Sequence, residues 1–509
     1  MYMAIHFLRR LFPAHRVTWG ECHFISILLT ITLLAMTLSL MIGLHQSVWF
    51  DEAYSIMLAK QPIDEIMRLT AIDTHPPLYY LLLKAWATLF GWGELALRTL
   101  SILAFGGSLI VGGLLMRRLF GARMALFALP FITAAPFLLR YGFEVRMYAI
   151  ASLIGIAATY ILIRALQAKS SRAQWLLYGS YAALVAIGVY TLYYMVLLWA
   201  AHALWLLWVS MIEKKPLREW YWAAALMASV VAFLPWLPTF LSQLNNNALT
   251  PVVQQLSLIQ LLEIVTFNFL YEQAWQVSVA TSLAAVYVIG AIIYFAVKAF
   301  RMATTEQQKY LVLLVMYIAV PVLLLMLLTL QKPMYVERYL SHVILGGVLF
   351  IGISIAITMN KSKSRQMWLA AGLLLLVMLT GTVRLVERGN YNFQRSQYPT
   401  AKQVAEHVET SCIGGAAVMA EDPYFATELT YYLPKCPVYF YSDTLELSGG
   451  YAMLSNSPYH LGYPVEKIGV ASRIFYVYDG ESTLQLSPRF RLVSTVSYDA
   501  LQVQEFIAE

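Results

Sequence analysis

A chain of 509 residues that is 60% hydrophobic and only 12% charged, with a mean hydropathy of +0.64, is excluded from the soluble globular class, where roughly a quarter of residues carry charge. Its net charge of +7 does not point to nucleic acid, because the basic residues fall in short segments between apolar runs rather than on one patch. Those runs are long enough to cross a hydrocarbon layer of about 30 Å, and each crossing must be a helix that satisfies its own backbone hydrogen bonds.

The expected fold is an all-α polytopic membrane bundle of about eleven transmembrane helices with a small C-terminal α/β extracytoplasmic domain. Spans are predicted at 24–45, 95–116, 124–139, 148–165, 174–191, 193–212, 222–240, 277–297, 310–330, 340–359 and 366–386. The first follows Arg9, Arg10 and Arg16 as a signal peptide would, yet it is long and lacks a small-residue cleavage site, so it reads as a retained anchor. With a cytoplasmic N-terminus the inner segments are 9–16, 117–123, 164–172, 214–218, 298–309 and 361–365. All are rich in Lys and Arg, and the outward loops are poor in them, as the positive-inside rule expects. Residues 1–390 then form the bundle, with a long outward loop at 46–94, and residues 391–509 form the outer domain. That domain carries β-rich runs at 416–419, 437–441 and 474–478 between polar helical runs. An extracytoplasmic setting permits a Cys412–Cys436 bridge, whereas Cys22 lies at the start of the first span.

Three outward loops hold charge at the membrane boundary. The first contains Trp49-Phe50-Asp51-Glu52-Ala53-Tyr54 and then Asp73-Thr74-His75-Pro76-Pro77-Leu78-Tyr79-Tyr80, with amphipathic surface helices predicted over 53–67 and 78–90. The simplest reading of Asp51 and Glu52 is a cap on a helix N-terminus. The second loop, Arg140-Tyr141-Gly142-Phe143-Glu144-Val145-Arg146-Met147-Tyr148, places a carboxylate between two guanidinium groups, which is also the composition of an interfacial ion-pair cluster. The third, Lys332-Pro333-Met334-Tyr335-Val336-Glu337-Arg338-Tyr339, has the Tyr and basic residues of an interfacial anchor. Taken together, the loops suit a membrane-embedded anionic phosphate, bound by Arg and Lys, and a nucleophile deprotonated by a carboxylate.

The other polar groups carry less chemistry. Glu263 and Glu272 read as the solvated face of an amphipathic helix, and His202 as a hydrogen-bonded core residue. The Tyr190-Thr191-Leu192-Tyr193-Tyr194 and Pro235-Trp236-Leu237-Pro238 stretches fit an aromatic belt with a helix break. No HExxH, Walker loop, GxGxxG or CxxC pattern appears, so no dedicated nucleotide or zinc site is expected.

In their order and topology the three loops resemble those of the polyprenyl-phosphate-dependent glycosyltransferases of the GT-C superfamily, which include protein O-mannosyltransferases and the lipid A aminoarabinose transferase. The resemblance spans residues 24–440 and rests on Trp49–Tyr54, His75–Tyr80, Glu144–Tyr148 and Arg338-Tyr339-Leu340. It implies an inverting enzyme that moves a sugar from a polyprenyl-phosphate donor to an envelope acceptor, at the outer face of a bacterial inner (plasma) membrane. It makes Asp51 the base or acceptor-orienting group with Glu52 beside it, and Glu144 a second acidic position. His75 stands where some relatives carry a phosphate-contacting Lys, and Arg338 and Tyr339 match a basic-aromatic position near the donor phosphate. Arg140, Arg146, Tyr148 and Lys332 complete the expected donor- and substrate-binding set. No cofactor is required, since basic residues already hold the leaving phosphate. A divalent ion between Asp51 and Glu144 stays open, because oligosaccharyltransferase relatives use one. The competing class is a transporter or flippase of lipid-linked sugars; against it, the ionisable residues gather at one face, and no repeats or paired broken helices are visible.

Overall fold

The computed structural model describes residues 19–213, 219–245, 265–272, 278–332, 334–362, 364–388, 400–412, 415–441, 453–454, 460–461, 471–480, 488–498 and 501–509. Arg9, Arg10, Arg16, Lys214, Lys215, Arg218, Glu263 and Lys363 lie outside them. Membrane-length apolar helices dominate. They are α1 (Trp19–Leu44), α5 (Glu94–Phe120), α8 (Tyr148–Gln167), α9 (Ser171–Thr191), α10 (Met195–Glu213), α13 (Val279–Met302), α14 (Thr305–Thr329), α15 (Ser341–Lys361) and α16 (Arg365–Arg388). A tenth crossing joins α11 (Glu219–Phe233) to α12 (Leu237–Asn245) through a 3-10 turn at Leu234–Trp236, because Pro235 and Pro238 break the α pattern there.

The span predicted at 124–139 is not one straight helix. It is α6 (Ala122–Thr133) and α7 (Pro136–Phe143), bent by 70°. Pro136 lacks an amide proton and forces Ala135 into an extended conformation, so the helix stops and restarts. The pair still returns the chain to the end from which α5 departs, since Glu144 just after α7 bonds Trp49 just before α2 (Phe50–Lys60). This gives eleven crossings among the described residues.

The predicted 53–67 helix is two helices, α2 and α3 (Ile63–Ile72), separated at Pro62, and α2 begins earlier than expected. Helix α4 (Leu78–Phe90) follows the Pro76-Pro77 pair as expected. Gly121, at φ 91°, allows the tight reversal between α5 and α6 that a side chain would strain. Helix α15 is buried through nearly its whole length. Gly352 lets it approach α6 so closely that an added Cβ would lie 2.8 Å from the Ala128 Cα. On the outer helices leucines such as Leu33, Leu34, Leu323 and Leu327 are exposed, as a lipid-facing surface requires.

Glu272 is not solvated. It is buried and paired with Arg384 of α16, because a carboxylate this deep requires a cation. His202 is a bonded core residue, with Thr159 Oγ1 at 3.0 Å and the Tyr181 hydroxyl at 3.1 Å.

The C-terminal domain carries α17 (Thr400–Glu409), α18 (Pro423–Tyr432) and a six-stranded mixed sheet of order β3-β2-β1-β4-β6-β5. Strands β1 (Ala416–Ala420), β2 (Val438–Tyr441), β3 (His460–Leu461) and β4 (Arg473–Asp479) are parallel neighbours, and β5 (Phe490–Tyr498) and β6 (Leu501–Ala508) add an antiparallel hairpin. Cys412 and Cys436, 24 residues apart, are joined as a disulfide. Closing a loop of this size is worth about 3 kcal/mol. Both thiols are expected to resist alkylation in the purified protein until reductant is added, after which the outer domain should melt at lower temperature. Two freely alkylated cysteines without reductant would contradict this.

Candidate active site

The site is assembled where α2 begins. Trp49 precedes the helix, and its backbone amide donates to Glu52 Oε2 at 3.4 Å, the return half of a capping box. Asp51 occupies the first turn, with 14% of its side chain accessible. Its Oδ2 lies 3.4 Å from Arg338 Nη2 and 3.9 Å from Arg146 Nε. Arg338 comes from the 3-10 turn Glu337–Leu340 before α15, and Arg146 from the 144–147 connection between α7 and α8. Asp51 Oδ2, Arg146 Nε, Arg338 Nε and the Tyr148 hydroxyl are all buried without a hydrogen-bond partner among the described residues. Buried polar atoms are normally satisfied, and here four unsatisfied ones gather around one carboxylate.

Arg338 is held by stacking on Trp49, 5.7 Å away, and on Tyr339, 5.9 Å away, with Glu337 at 3.8 Å. Arg146 donates to Ser55 Oγ at 3.0 Å and to the Tyr80 hydroxyl at 3.4 Å. Tyr339 stacks on Tyr194 and meets the His75 ring edge-on. These aromatics open onto a cavity of about 230 Å³, lined also by Pro76, Leu197, Phe240 and Leu328.

Glu52 does not face this space. It is 1% exposed and accepts from Val145 N at 2.9 Å, Arg98 Nη2 at 3.1 Å and the Trp49 amide. Arg98, on α5, also donates to the carbonyls of Gly43, Gln46 and Ser47. The pair thus ties the end of α1, the start of α2, α5 and the 144–147 connection together. Glu144 is equally committed, accepting from the Trp49 indole at 2.9 Å and from Arg140 at 3.0 Å. Burial pushes its carboxyl up to about 7 against the pull of Arg140. Both carboxylates are thus engaged by protein donors on either side of Asp51. Lys332 stands apart, donating to the Leu244 carbonyl at 2.9 Å.

Arg98 escaped the sequence reading although a cation inside a predicted span is itself a signal. So did the contact of the outer domain with the site. Its helix α18 sits on α2: Glu428 accepts the Phe50 amide proton, the Tyr432 hydroxyl accepts from Val48 N at 2.7 Å, and Tyr424 meets the Phe50 ring at 4.5 Å. Burial at this joint raises the Glu428 carboxyl from 4.5 to about 8. The folded chain therefore keeps a proton that the unfolded chain has lost between those values, and stability falls as pH rises through that window. Thermal unfolding across pH 5.5 to 8.5 is expected to show this slope in the wild type and a flatter one in Glu428→Gln. Equal slopes would remove Glu428 as its source.

Residues 74–238 match the family model described as dolichyl-phosphate-mannose-protein mannosyltransferase, a stretch that holds His75, Glu144 and Arg146 but neither Asp51 nor Arg338. No curated protein matches by sequence. The fold is similar to that of ArnT from Cupriavidus metallidurans, both in the apo state and bound to undecaprenyl phosphate. In each case the TM-score is 0.60 and the identity 12%, covering 95% of this chain and 98% of that one. An oligosaccharyltransferase from Archaeoglobus fulgidus, in complex with Zn and sulfate, aligns more weakly, with a TM-score of 0.46 and 11% identity over 88% of this chain and 68% of that one. By its apolar helices the chain is a multispanning membrane protein, and its fold is similar to that of ArnT.

Proposed function

We propose that this enzyme transfers a sugar from a polyprenyl-phosphate donor to an envelope acceptor with inversion at the anomeric carbon. The reading is carried by the unfilled polar set around Asp51, one carboxylate facing two guanidinium groups that have donors to spare. Arg338 and Arg146 would bind the donor phosphate, whose charge grows as the bond to the sugar breaks. The apolar cavity beside His75 and Tyr339 suits the first isoprene units. Asp51 then removes the proton of the acceptor hydroxyl or amine. The acceptor attacks the anomeric carbon, the carbon–oxygen bond to phosphate breaks, and polyprenyl phosphate leaves on the two arginines.

A metal fits this arrangement poorly. No group of three or more His, Cys, Asp and Glu side chains comes together among the described residues, and guanidinium groups already flank Asp51, where a cation would be repelled. For orientation, segments 117–123, 164–172 and 298–309, rich in Lys and Arg, and Lys361 meet at the end opposite Asp51, through contacts such as Arg118 with Gln167, Lys309 with Glu213 and Lys361 with the Met302 carbonyl. By the positive-inside rule that end is cytoplasmic, and the site and outer domain face outward from a bacterial inner membrane.

The test is an assay of purified protein with undecaprenyl-phosphate-linked sugars and extracted envelope acceptors. Release of undecaprenyl phosphate with labelling of the acceptor is the expected result. Movement of the lipid-linked sugar across vesicles without turnover would overturn the proposal in favour of a flippase.

A further inference from the structure

Position 75 is occupied by His, and the arrangement around it is directional. Arg146 Nη2 lies 3.4 Å from His75 Nε2. A guanidinium can only donate, so Nε2 must present its lone pair and the ring proton must sit on Nδ1. There it faces Thr74 Oγ1 at 3.0 Å. The Thr74 hydroxyl, having accepted that proton, points its own at Asp73 Oδ1, 3.3 Å away, and the same oxygen takes the Thr74 amide at 2.6 Å. Asp73, His75 and Arg146 are all buried. Every donor in this chain has an acceptor only if the imidazole is neutral.

We propose that His75 is a neutral positioning residue, which holds the Arg146 guanidinium towards Asp51 while Asp73 and Thr74 fix its tautomer. The alternative is a cation that binds the donor phosphate, as a Lys would at this position. The proposal rests on the reading of Arg146 as a phosphate ligand only for its catalytic meaning; the tautomer follows from geometry alone. Burial, Arg146 and Arg338 all hold the imidazole well below its ordinary pKa. The only carboxylate in the chain of contacts, Asp73, reaches the ring through Thr74. A protonated ring would set two cations against each other and release Arg146, whose Nη1 bonds to Ser55 and Tyr80 do not by themselves hold Nε near Asp51. Tyr339, edge-on at 6.0 Å, closes the remaining side.

Full-length protein in detergent, labelled with ¹⁵N-histidine, tests this directly, with the His75 signals identified by their loss in His75→Gln. A ring protonated at Nδ1 and bare at Nε2 at neutral pH is the expected spectrum. An imidazolium, or a ring protonated at Nε2, would overturn the proposal. Binding of undecaprenyl phosphate supplies the second arm. His75→Gln, which keeps an acceptor for Arg146, should bind within about threefold of wild type, whereas His75→Lys should lose about tenfold or more. A lysine variant that binds as tightly as wild type would show that a cation is what the position needs. If wild-type protein does not bind undecaprenyl phosphate at all, the donor assignment fails, and the spectrum still decides the role of His75.

Discussion

Asp51→Asn is expected to lower turnover of a lipid-linked sugar by about 10² to 10⁴-fold, the usual contribution of a positioned base, while leaving the protein folded. The structure explains why the damage should be confined to chemistry. Asp51 is partly accessible, and its Oδ2 makes no hydrogen bond among the described residues, so the amide disturbs little packing. Loss of the negative charge leaves Arg338 and Arg146 less restrained, and undecaprenyl phosphate binding should be kept or strengthened. The decisive comparison is turnover against binding in the same preparation. An Asp51→Asn enzyme with wild-type turnover would remove Asp51 from the mechanism.

Glu52→Ala, one residue away, should behave in the opposite manner. Removing one member of a buried ion pair leaves the other under-compensated, and here that group is Arg98, 0% exposed, which would keep only Glu94 at 3.3 Å as a carboxylate partner. The expected loss is about 3–5 kcal/mol, read as a marked fall in unfolding temperature and poor recovery of monodisperse protein. Arg98→Ala should do comparable harm, and the double variant should be less destabilised than the sum of the two, because the residues share one network. A Glu52→Ala protein that is stable but inactive would reassign Glu52 to the chemistry. The two adjacent carboxylates, indistinguishable as a sequence pair, are thus separated by one measurement of stability.

Much of this was legible before any coordinates. The crossings follow from apolar length, which the absence of water in a bilayer makes an unusually strict signal. The three charged loops were recognisable because charge at a membrane boundary demands a reason. Glu272 was misread for want of its partner: Arg384 lies more than a hundred residues on, and only the packing of α16 reveals it. The bend at Pro136 was written in the sequence as a proline, but hydropathy averages across it. The length of α2 was misjudged because Pro62, not the amphipathic pattern, sets its end.

By itself, then, the sequence determined the membrane class, the number of crossings, the gathering of charge at one end and the position of Asp51 at a helix start, since these depend on composition and local periodicity. Only the tertiary structure decided how the charges are shared. It gave Glu52 to Arg98, Glu144 to Trp49 and Arg140, and His75 to Arg146, and it left Asp51 with two long ionic contacts and no hydrogen bond to its Oδ2 among the described residues. Pairing of buried charges is a competition among groups distant in sequence, settled by the geometry of the packed helices, and no local pattern encodes its outcome.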